Sequence, residues 1–266
     1  MVRPGASLGT ALLAGLLVSV AGAQPGASEM LTSALNKAAR YTVRGEASVT
    51  VTFPPRDPPT RTAQALPPLK VFPALLTRNF EITLGAPDTV AGRAAQVVTL
   101  KPKAGAAAAW RLWIDREWNV PLAYEERGVD GVVARRAELV RADKLQKRAA
   151  DVAQTLALPP LPGLAQALKK ALPGLSLPPG FQAVGVGQRP AGPQVILSDG
   201  INVLALVLAQ KGVKAAPGVA SRRIGGGYVW LVGNLDTPTL QAALNSVKKR
   251  DLGPLGTFLP PGDSHP

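Results

Sequence analysis

The sequence predicts an α+β protein in which an antiparallel sheet domain is followed by a smaller α/β domain. Three observations lead to this class. An early segment has the spacing of an amphipathic helix, the following hundred or so residues alternate apolar and polar side chains between turn signals, and a proline-rich break precedes a second β-rich set. Short consecutive strands joined by turns form antiparallel sheets, which usually bury one face.

Residues 1–23 predict a secretory signal peptide. They contain one positive charge, Arg3, then a short apolar run and a small-x-small ending at Ala23. The apolar run is about ten residues long, whereas a helix needs roughly 20 to span a bilayer. We therefore expect a mature protein that begins at Gln24 and is soluble in the periplasm or another extracytoplasmic compartment.

The mature chain is strongly basic and has no cysteine. The sequence has 30 Lys and Arg against 17 Asp and Glu, and Arg3 is the one charge lost with the signal peptide. For an exported protein this charge favours membrane surfaces, acidic polymers or an acidic protein segment as partners. Nucleic acid is excluded as a partner because export puts cytoplasmic nucleic acid out of reach. Without disulfides the fold depends on its hydrophobic core.

The sheet domain is predicted to cover residues 24–158. It begins with an amphipathic helix over residues 28–41 and a strand over residues 42–53. Residues 54–77 are rich in proline, which interrupts helices and central strands, so they are predicted to form a crossing loop with short helical pieces. Five more strands follow in the segments NFEITLG, AAQVVTLKP, AAWRLWIDR, VPLAYEER and VVARRAELVRA.

The second half is predicted to contain a linker, a smaller domain and a tail. Residues 159–179 are proline-rich around one short amphipathic helix, and we place the linker there. Residues 180–251 predict four strands and a closing helix that starts near Pro238. Residues 252–266 are predicted to be a disordered tail.

The sequence offers no catalytic set, so we predict that the protein is not an enzyme. Its one histidine, His265, is second from the C-terminus, and the ligands of a zinc or iron site are missing, so no metal and no cofactor are expected. Five carboxylates are the remaining acid-base candidates: Asp115, Glu117, Glu125, Glu126 and Asp130. They alternate with arginines in or beside hairpin turns, which favours a solvated charged edge.

Two groups of residues are candidates for binding. Arg222, Arg223 and Lys248 are basic side chains that can contact an acidic protein partner, although such charges most often serve solvation. Trp110 and Trp113 have opposite parity in one strand, so their side chains point to opposite faces. The sequence leaves open whether they are core residues or the aromatic wall of an apolar pocket.

Three motifs stand in order in the first half: AGRAAQVV (residues 91–98), WRLWID (110–115) and the following Pro-Leu pair (121–122). They resemble the AGR-x-x-Q-V-V, Y-x-L-W-L-D and G-L-P-L core of the RseB/MucB family of periplasmic sigma-E regulators. The lipoprotein carriers LolA and LolB contain the same core in looser form.

Motifs in the second half resemble further landmarks of that family. They are LPPGF (residues 177–181), SDG (198–200) and GGYV (226–229), followed by the closing helix. The likeness covers about residues 28–250 in the right order. It implies a curved antiparallel half-barrel sheet wrapped over helices, with an apolar cavity like that of the carriers, joined to a smaller C-terminal α/β domain.

The resemblance also implies a function. Family members bind the periplasmic segment of a membrane-anchored anti-sigma factor, protect it from proteolysis and release it when a lipidic envelope-stress signal binds. We therefore expect a non-enzymatic regulator with this partner and a lipid or acylated ligand. The alternatives are a periplasmic lipid or lipoprotein carrier and an envelope protein that binds acidic polymers.

For such a regulator we predict two sets of binding residues. The predicted cavity or core residues, which are also the lipid-binding candidates, are Phe80, Val97, Leu112, Trp113 and Ile114. The predicted contacts to the protein partner are Arg222, Arg223 and Lys248. The sequence leaves the ligand, the oligomeric state and the tryptophan that faces the cavity open.

Overall fold

The structure is a computed structural model that describes residues 26–258 except 54, 56, 151 and 153–160. The predicted signal peptide and His265 therefore lie outside the described residues. The first unit contains helices α1 (Ala27–Arg40) and α2 (Pro73–Asn79) and strands β1 (Tyr41–Val51), β2 (Thr60–Ala65), β3 (Phe80–Val90), β4 (Arg93–Pro102), β5 (Ala109–Asp115), β6 (Pro121–Arg127) and β7 (Val133–Lys147). Across the described ranges, no helix has the length and apolar character needed to cross a membrane.

The strands of the first unit form one antiparallel sheet in the order β2-β1-β7-β6-β5-β4-β3. Strands β3 to β7 follow one another as neighbours, and β7 then pairs with β1. Bulges interrupt the β1/β7, β3/β4 and β5/β6 pairs, and such bulges bend a sheet. The sheet ends at β2 and β3, so it is open.

Helix α1 covers the core of this sheet. Its apolar residues recur at helical spacing, so Leu31, Ala34 and Leu35 lie on one buried stripe. They pack in one cluster with the two largest fully buried side chains among the described residues, Trp110 and Tyr124. The cluster holds the first unit together through burial of apolar surface, since no disulfide is present.

The second unit is also antiparallel. It contains α3 (Leu164–Ala171), β8 (Gln182–Arg189), β9 (Gly192–Ser198), β10 (Val203–Ala209), β11 (Val219–Ile224), β12 (Gly227–Gly233), α4 (Thr237–Asn245) and a 3-10 helix (Gly253–Leu255). Its strands follow the order β11-β12-β10-β9-β8. Asp236 caps α4 by accepting a hydrogen bond from Thr239 N, and Pro238 suits the first helical turn. The predicted α+β class is confirmed.

The sequence prediction missed two strands. Strand β2 lies inside the proline-rich residues 54–77, and it is an edge strand, where neighbouring prolines are tolerated. Strand β11 carries Arg222 and Arg223, whose charges concealed its period-two pattern, and it is the edge of the second sheet. Both strands are short, and short polar edge strands have the weakest sequence signal.

Two segments predicted to lie outside the second core contribute to it. Helix α3, in the predicted linker 159–179, buries Leu164 and Leu168 in that core. Leu255, in the predicted disordered tail 252–266, is also fully buried, because the 3-10 helix packs against α3. The tail prediction is therefore wrong for residues 252–258, and the other domain boundaries stay predictions.

Candidate functional site

A groove of about 340 Å³ lies between the two sheets. Val51, Phe53 and Arg61 line its side on the first sheet, and Val203 and Val232 line its side on the second. Val203 is 47% exposed, so an apolar strand residue is open to solvent there. A largely apolar depression of this size with a few polar groups is typical of a binding site.

Phe53 packs on Gly218 at the groove. Gly218 has a φ of +69°, and a side chain at this position would collide with the Phe53 ring and the carbonyl oxygen of Gly233. Gly233 N also donates a hydrogen bond of 2.9 Å to Gly218 O. Glycine is required here because the backbone is left-handed and the two sheets approach closely.

Polar residues of both units meet at the wall of the groove. Glu126 accepts hydrogen bonds from Arg135 Nη2 at 2.8 Å and from Asn234 Nδ2 at 2.6 Å. The Arg135 guanidinium also lies 5.2 Å from the centre of the Trp110 ring. Burial raises the pKa of the neighbouring Tyr124 phenol, which stays protonated. Because the Glu126 carboxylate accepts hydrogen bonds from both units, it fixes the orientation of one sheet relative to the other.

A buried hydrogen-bond network, which we call the joint, connects the sheets through Trp110, Asn202, Asp199 and Ala108. Trp110 Nε1 donates to Asn202 Oδ1 at 2.8 Å, and Asn202 Nδ2 donates to Ala108 O at 3.0 Å and Asp199 Oδ2 at 2.8 Å. Burial raises the pKa of Asp199, although hydrogen bonds from Asn202 and nearby backbone amides oppose this effect. The amide of Asn202 thus satisfies buried groups of both units.

Asn79 makes a second connection beside the joint. Its Nδ2 donates to Gly180 O at 3.0 Å and to Asp199 O at 2.7 Å, and Phe72 N donates to Gly200 O at 2.8 Å. Gly200 has a φ of +129°, and a Cβ there would overlap the backbone of α2. The second unit therefore docks on the first through backbone atoms that a side chain would push apart.

The predicted cavity residues all lie in packed clusters. Phe80, Leu112 and Ile114 belong to the cluster that contains α1, whereas Val97 and Trp113 belong to a separate apolar cluster. All five are buried. They form core in this structure, and their role in lipid binding stays a prediction.

The two tryptophans of β5 have different surroundings, as their opposite parity predicts. Trp110 is in the α1 cluster, and Trp113 is in the second cluster. Trp113 Nε1 donates to Asp88 Oδ2 at 2.8 Å, and the Arg136 guanidinium lies 5.4 Å from its ring centre. Polar side chains thus cover the second tryptophan.

The predicted partner residues divide into one engaged and two exposed side chains. Arg222 Nη1 donates to the carbonyl oxygens of Leu244 and Asn245 at the end of α4. Arg223 and Lys248 are exposed. Arg222 therefore caps a helix, because its charge satisfies carbonyls that have no partner within the helix. Partner contacts by these residues stay a prediction.

The expected solvated charged edge is wrong for Asp115, Glu125 and Glu126, which are buried. Glu125 accepts hydrogen bonds from Arg127 Nε at 2.5 Å and Arg136 Nη1 at 3.0 Å. Arginines on the same or the adjacent strand pair with the carboxylates, and this pairing offsets the cost of burying them. Glu117 and Asp130 are exposed, as expected.

Comparison with known families decides the assignment. The family described as the MucB/RseB N-terminal domain matches residues 22–156, about half of the chain. The chain belongs to the MucB/RseB family. Comparison with curated proteins yields no match.

Solved structures share the fold of this MucB/RseB-family protein. A crystal structure of MucB is 18% identical, covers 84% of this chain and 98% of its own, and has a TM-score of 0.59. The complex of Pseudomonas aeruginosa MucA/MucB is 17% identical, with 84% and 99% coverage and a TM-score of 0.56. MucB in complex with MucA(peri) is 16% identical, with the same coverage and a TM-score of 0.57. At sequence identities this low, the likeness shows a shared fold and nothing about function.

The family motifs of the first half meet in this MucB/RseB-family protein. Arg93, from AGRAAQVV, donates to Asp115, from WRLWID, through Nε at 2.5 Å and Nη2 at 3.1 Å. Asp115 also accepts hydrogen bonds from Glu117 N and Trp118 N, and the Arg93 guanidinium lies 3.4 Å from the Trp118 ring centre. The two motifs therefore close one end of the β4/β5 pair with a buried ion pair.

The second-half motifs supply residues to the joint and to the connection beside it. SDG contributes Asp199 to the joint and Gly200 to the neighbouring connection, and LPPGF contributes Gly180, a carbonyl acceptor for Asn79. Asn79 and Asn202 were not predicted to connect the two units, because single asparagines carry no local pattern. The adjacency of Asn202 to the SDG motif is the one signal that pointed toward it.

Proposed function

We propose that this protein is an exported regulatory binding protein whose partner is the extracytoplasmic segment of a membrane-anchored anti-sigma factor. The observation that supports this most is the family match over residues 22–156. A relative of the same fold, MucB, has been solved in complex with MucA(peri). The joint and the groove both require the two units to be docked, so we include the second unit in the proposed binding site.

The proposed place of binding is the groove between the sheets. Its apolar residues provide area for a partner segment, and Arg61 and Arg135 add positive charge beside the Glu126 carboxylate. A segment that contacts both sheets would stabilise the docked arrangement, because it binds that state and not the separated units. The overall positive charge favours a segment with acidic residues.

Site-specific crosslinking in intact cells tests this proposal. A photoreactive residue replaces Val203, which is exposed in the groove, and a matched variant carries it at Val140, a 60% exposed strand valine that does not line the groove. We expect position 203 to capture a single-span membrane protein with a cytoplasmic sigma-binding domain, identified by mass spectrometry. Equal capture at both positions, or capture of no such protein, contradicts the proposal.

We further propose that a lipidic signal acts beside this groove. A small apolar cavity lies beneath residues 66–69 and is lined by Leu35, Val43 and Leu66. Its volume is about 30 Å³, room for about two water molecules. An acyl chain is larger than this volume, so its entry would require lining residues such as 66–69 to move. Pro67 and Tyr124 line both the cavity and the groove, so this movement would alter the partner site.

Lipid addition separates this proposal from the alternative of a lipid or lipoprotein carrier. With a lysophospholipid present, we expect less crosslinking at Val203 and unchanged background at Val140. A partner yield that does not change with lipid contradicts the signal role. Recovery of acyl lipid that exchanges onto acceptor vesicles, without a membrane-anchored partner, would instead establish a carrier.

A further inference from the structure

Four lysines gather at one end of the second unit, and we call them the lysine patch. Lys169 and Lys170 lie in the last turn of α3, and Lys248 and Lys249 follow α4. The two segments run side by side, since Lys248 N donates a hydrogen bond of 3.0 Å to Pro173 O. All four side chains are exposed.

The acidic residues of this unit serve other purposes. Asp199 is buried in the joint, Asp236 caps α4 through Thr239, and Asp251 accepts a hydrogen bond from Gly253 N in a turn. Every ion pair found among the described residues lies in the first unit. The charge of the lysine patch is therefore directed at solvent.

The chemistry of the patch indicates the kind of partner. Protein interfaces draw most of their energy from buried aromatic, arginine or large apolar anchors. The large apolar side chains that the described residues expose lie outside the patch. Lysines are flexible, strongly hydrated point charges, which suit many equivalent phosphate groups better than one defined partner geometry.

We propose that the lysine patch holds the second unit against an anionic lipid surface through headgroup phosphates. None of its residues lines the groove between the sheets, so this contact leaves the proposed partner groove open and assigns Lys248 to lipid instead of to the protein partner. The fit is electrostatic, because the patch offers charge without an apolar group to insert into the bilayer. If the partner is membrane-anchored, the contact also concentrates the protein where its partner is.

Vesicle sedimentation of the mature protein tests the proposal. We expect binding to vesicles of equal parts phosphatidylcholine and phosphatidylglycerol, and none to phosphatidylcholine alone. Binding should disappear in about 1 M salt, where the Debye length is about 3 Å. Changing all four lysines to glutamine should weaken binding by about two orders of magnitude, because each cation near an anionic surface contributes several-fold.

A variant with the same loss of charge in the first unit is the matched control. Lys101, Lys144, Lys147 and Arg111 are exposed, and their change to glutamine should leave vesicle binding within about twofold if the patch is responsible. Thermal unfolding of both variants confirms that each is folded. Equal weakening by the two variants, or binding to phosphatidylcholine alone, overturns the proposal. Binding of polyglutamate without binding of anionic vesicles overturns it in favour of an acidic polypeptide.

Discussion

The two units carry the same excess of positive charge but use it differently. Residues 26–150 contain 19 Lys and Arg against 12 Asp and Glu, and residues 161–258 contain 10 against 3. In the first unit the arginines neutralise carboxylates on the same strand or a neighbouring one, such as Arg136 with Glu125 and Glu138. In the second unit Arg222 serves helix carbonyls instead, and the lysine patch faces solvent.

The net charge of a unit therefore does not show how many of its cations are available to an external anion. Paired cations allow the first sheet to bury Asp115, Glu125 and Glu126 beside its apolar clusters. Cations without nearby carboxylates stay free for an external anion. The charge available to an external anion therefore lies mainly in the second unit, although the first unit has more basic residues.

The largest effect is expected when the buried ion pair of the first unit is broken. Asp115→Ala removes the carboxylate that Arg93 and two backbone N–H groups share, and it leaves the mostly buried Arg93 guanidinium with the exposed Glu117 as its remaining ion-pair partner. We expect the free energy of unfolding to fall by about 4 kcal/mol, measured by urea denaturation. Glu117→Ala is the control, because Glu117 pairs with the same arginine but is 77% exposed. Equal losses would show that burial does not set the strength of the pair.

The same carboxylate predicts a sensitivity to acid. Burial alone would raise the pKa of Asp115, but hydrogen bonds from Arg93, Trp118 N and Glu117 N together lower it below 3.8. Because its pKa is lower in the folded state, the Asp115 carboxylate stabilises the fold at any pH above its ordinary pKa. This stabilisation is lost as the pH falls through the pKa of the folded state. Urea denaturation below pH 3.8 should therefore show a smaller loss on acidification in Asp115→Ala than in the wild type. Parallel losses would contradict the assignment.

The next effect tests whether the two units are independent. Asn202→Ala removes the amide that joins Trp110 Nε1, Ala108 O and Asp199 in the joint. Buried groups left without hydrogen bonds cost about 1–3 kcal/mol each, so we expect a loss of about 3 kcal/mol and a separation of one thermal transition into two. Asn36→Ala, on the exposed side of α1, is the control. A single unshifted transition would mean that the joint does not couple the units.

A smaller effect distinguishes two neighbouring cations of the second unit. Arg222→Ala removes the cap of α4 and should lower the free energy of unfolding by about 1 kcal/mol. Arg223→Ala should leave it unchanged, because this side chain is exposed on the same strand. Chemical denaturation of both variants measures the difference. Equal values would show that the cap contributes nothing.

The smallest effect is expected for an exposed pair of the first unit. Arg141 and Asp143 form an ion pair with an Nε to Oδ1 distance of 2.8 Å, and both side chains face solvent. Asp143→Asn should leave thermal stability within experimental error at physiological salt, since solvent and ions screen such pairs. A clear loss of thermal stability would mean that this exposed pair contributes to stability as the buried Arg93–Asp115 pair does, and would contradict the distinction between buried and exposed pairs.

Much of the first sheet could be predicted from local pattern, but its charged residues could not. Alternation located β3 to β7 because strand side chains repeat with period two. The same alternation did not show that Glu125 and Glu126 are both buried, because this requires arginines from β7. Strand β11 was missed because Arg222 and Arg223 obscure its alternation. The hydrogen-bond acceptor of Arg222 lies at the end of α4, which the strand's own sequence does not show.

Periodicity, turn residues and ordered motifs are local properties of the chain, and they were enough to predict the fold class, most of the elements and the family. How the two units meet depends on contacts between residues that are far apart in the chain, and only the folded structure shows it. Asn202 lies 92 residues from Trp110, and Asn79 lies 120 residues from Asp199, so no local pattern records their contact. The groove exists because these hydrogen bonds and the close approach at Gly218 hold two separate sheets together.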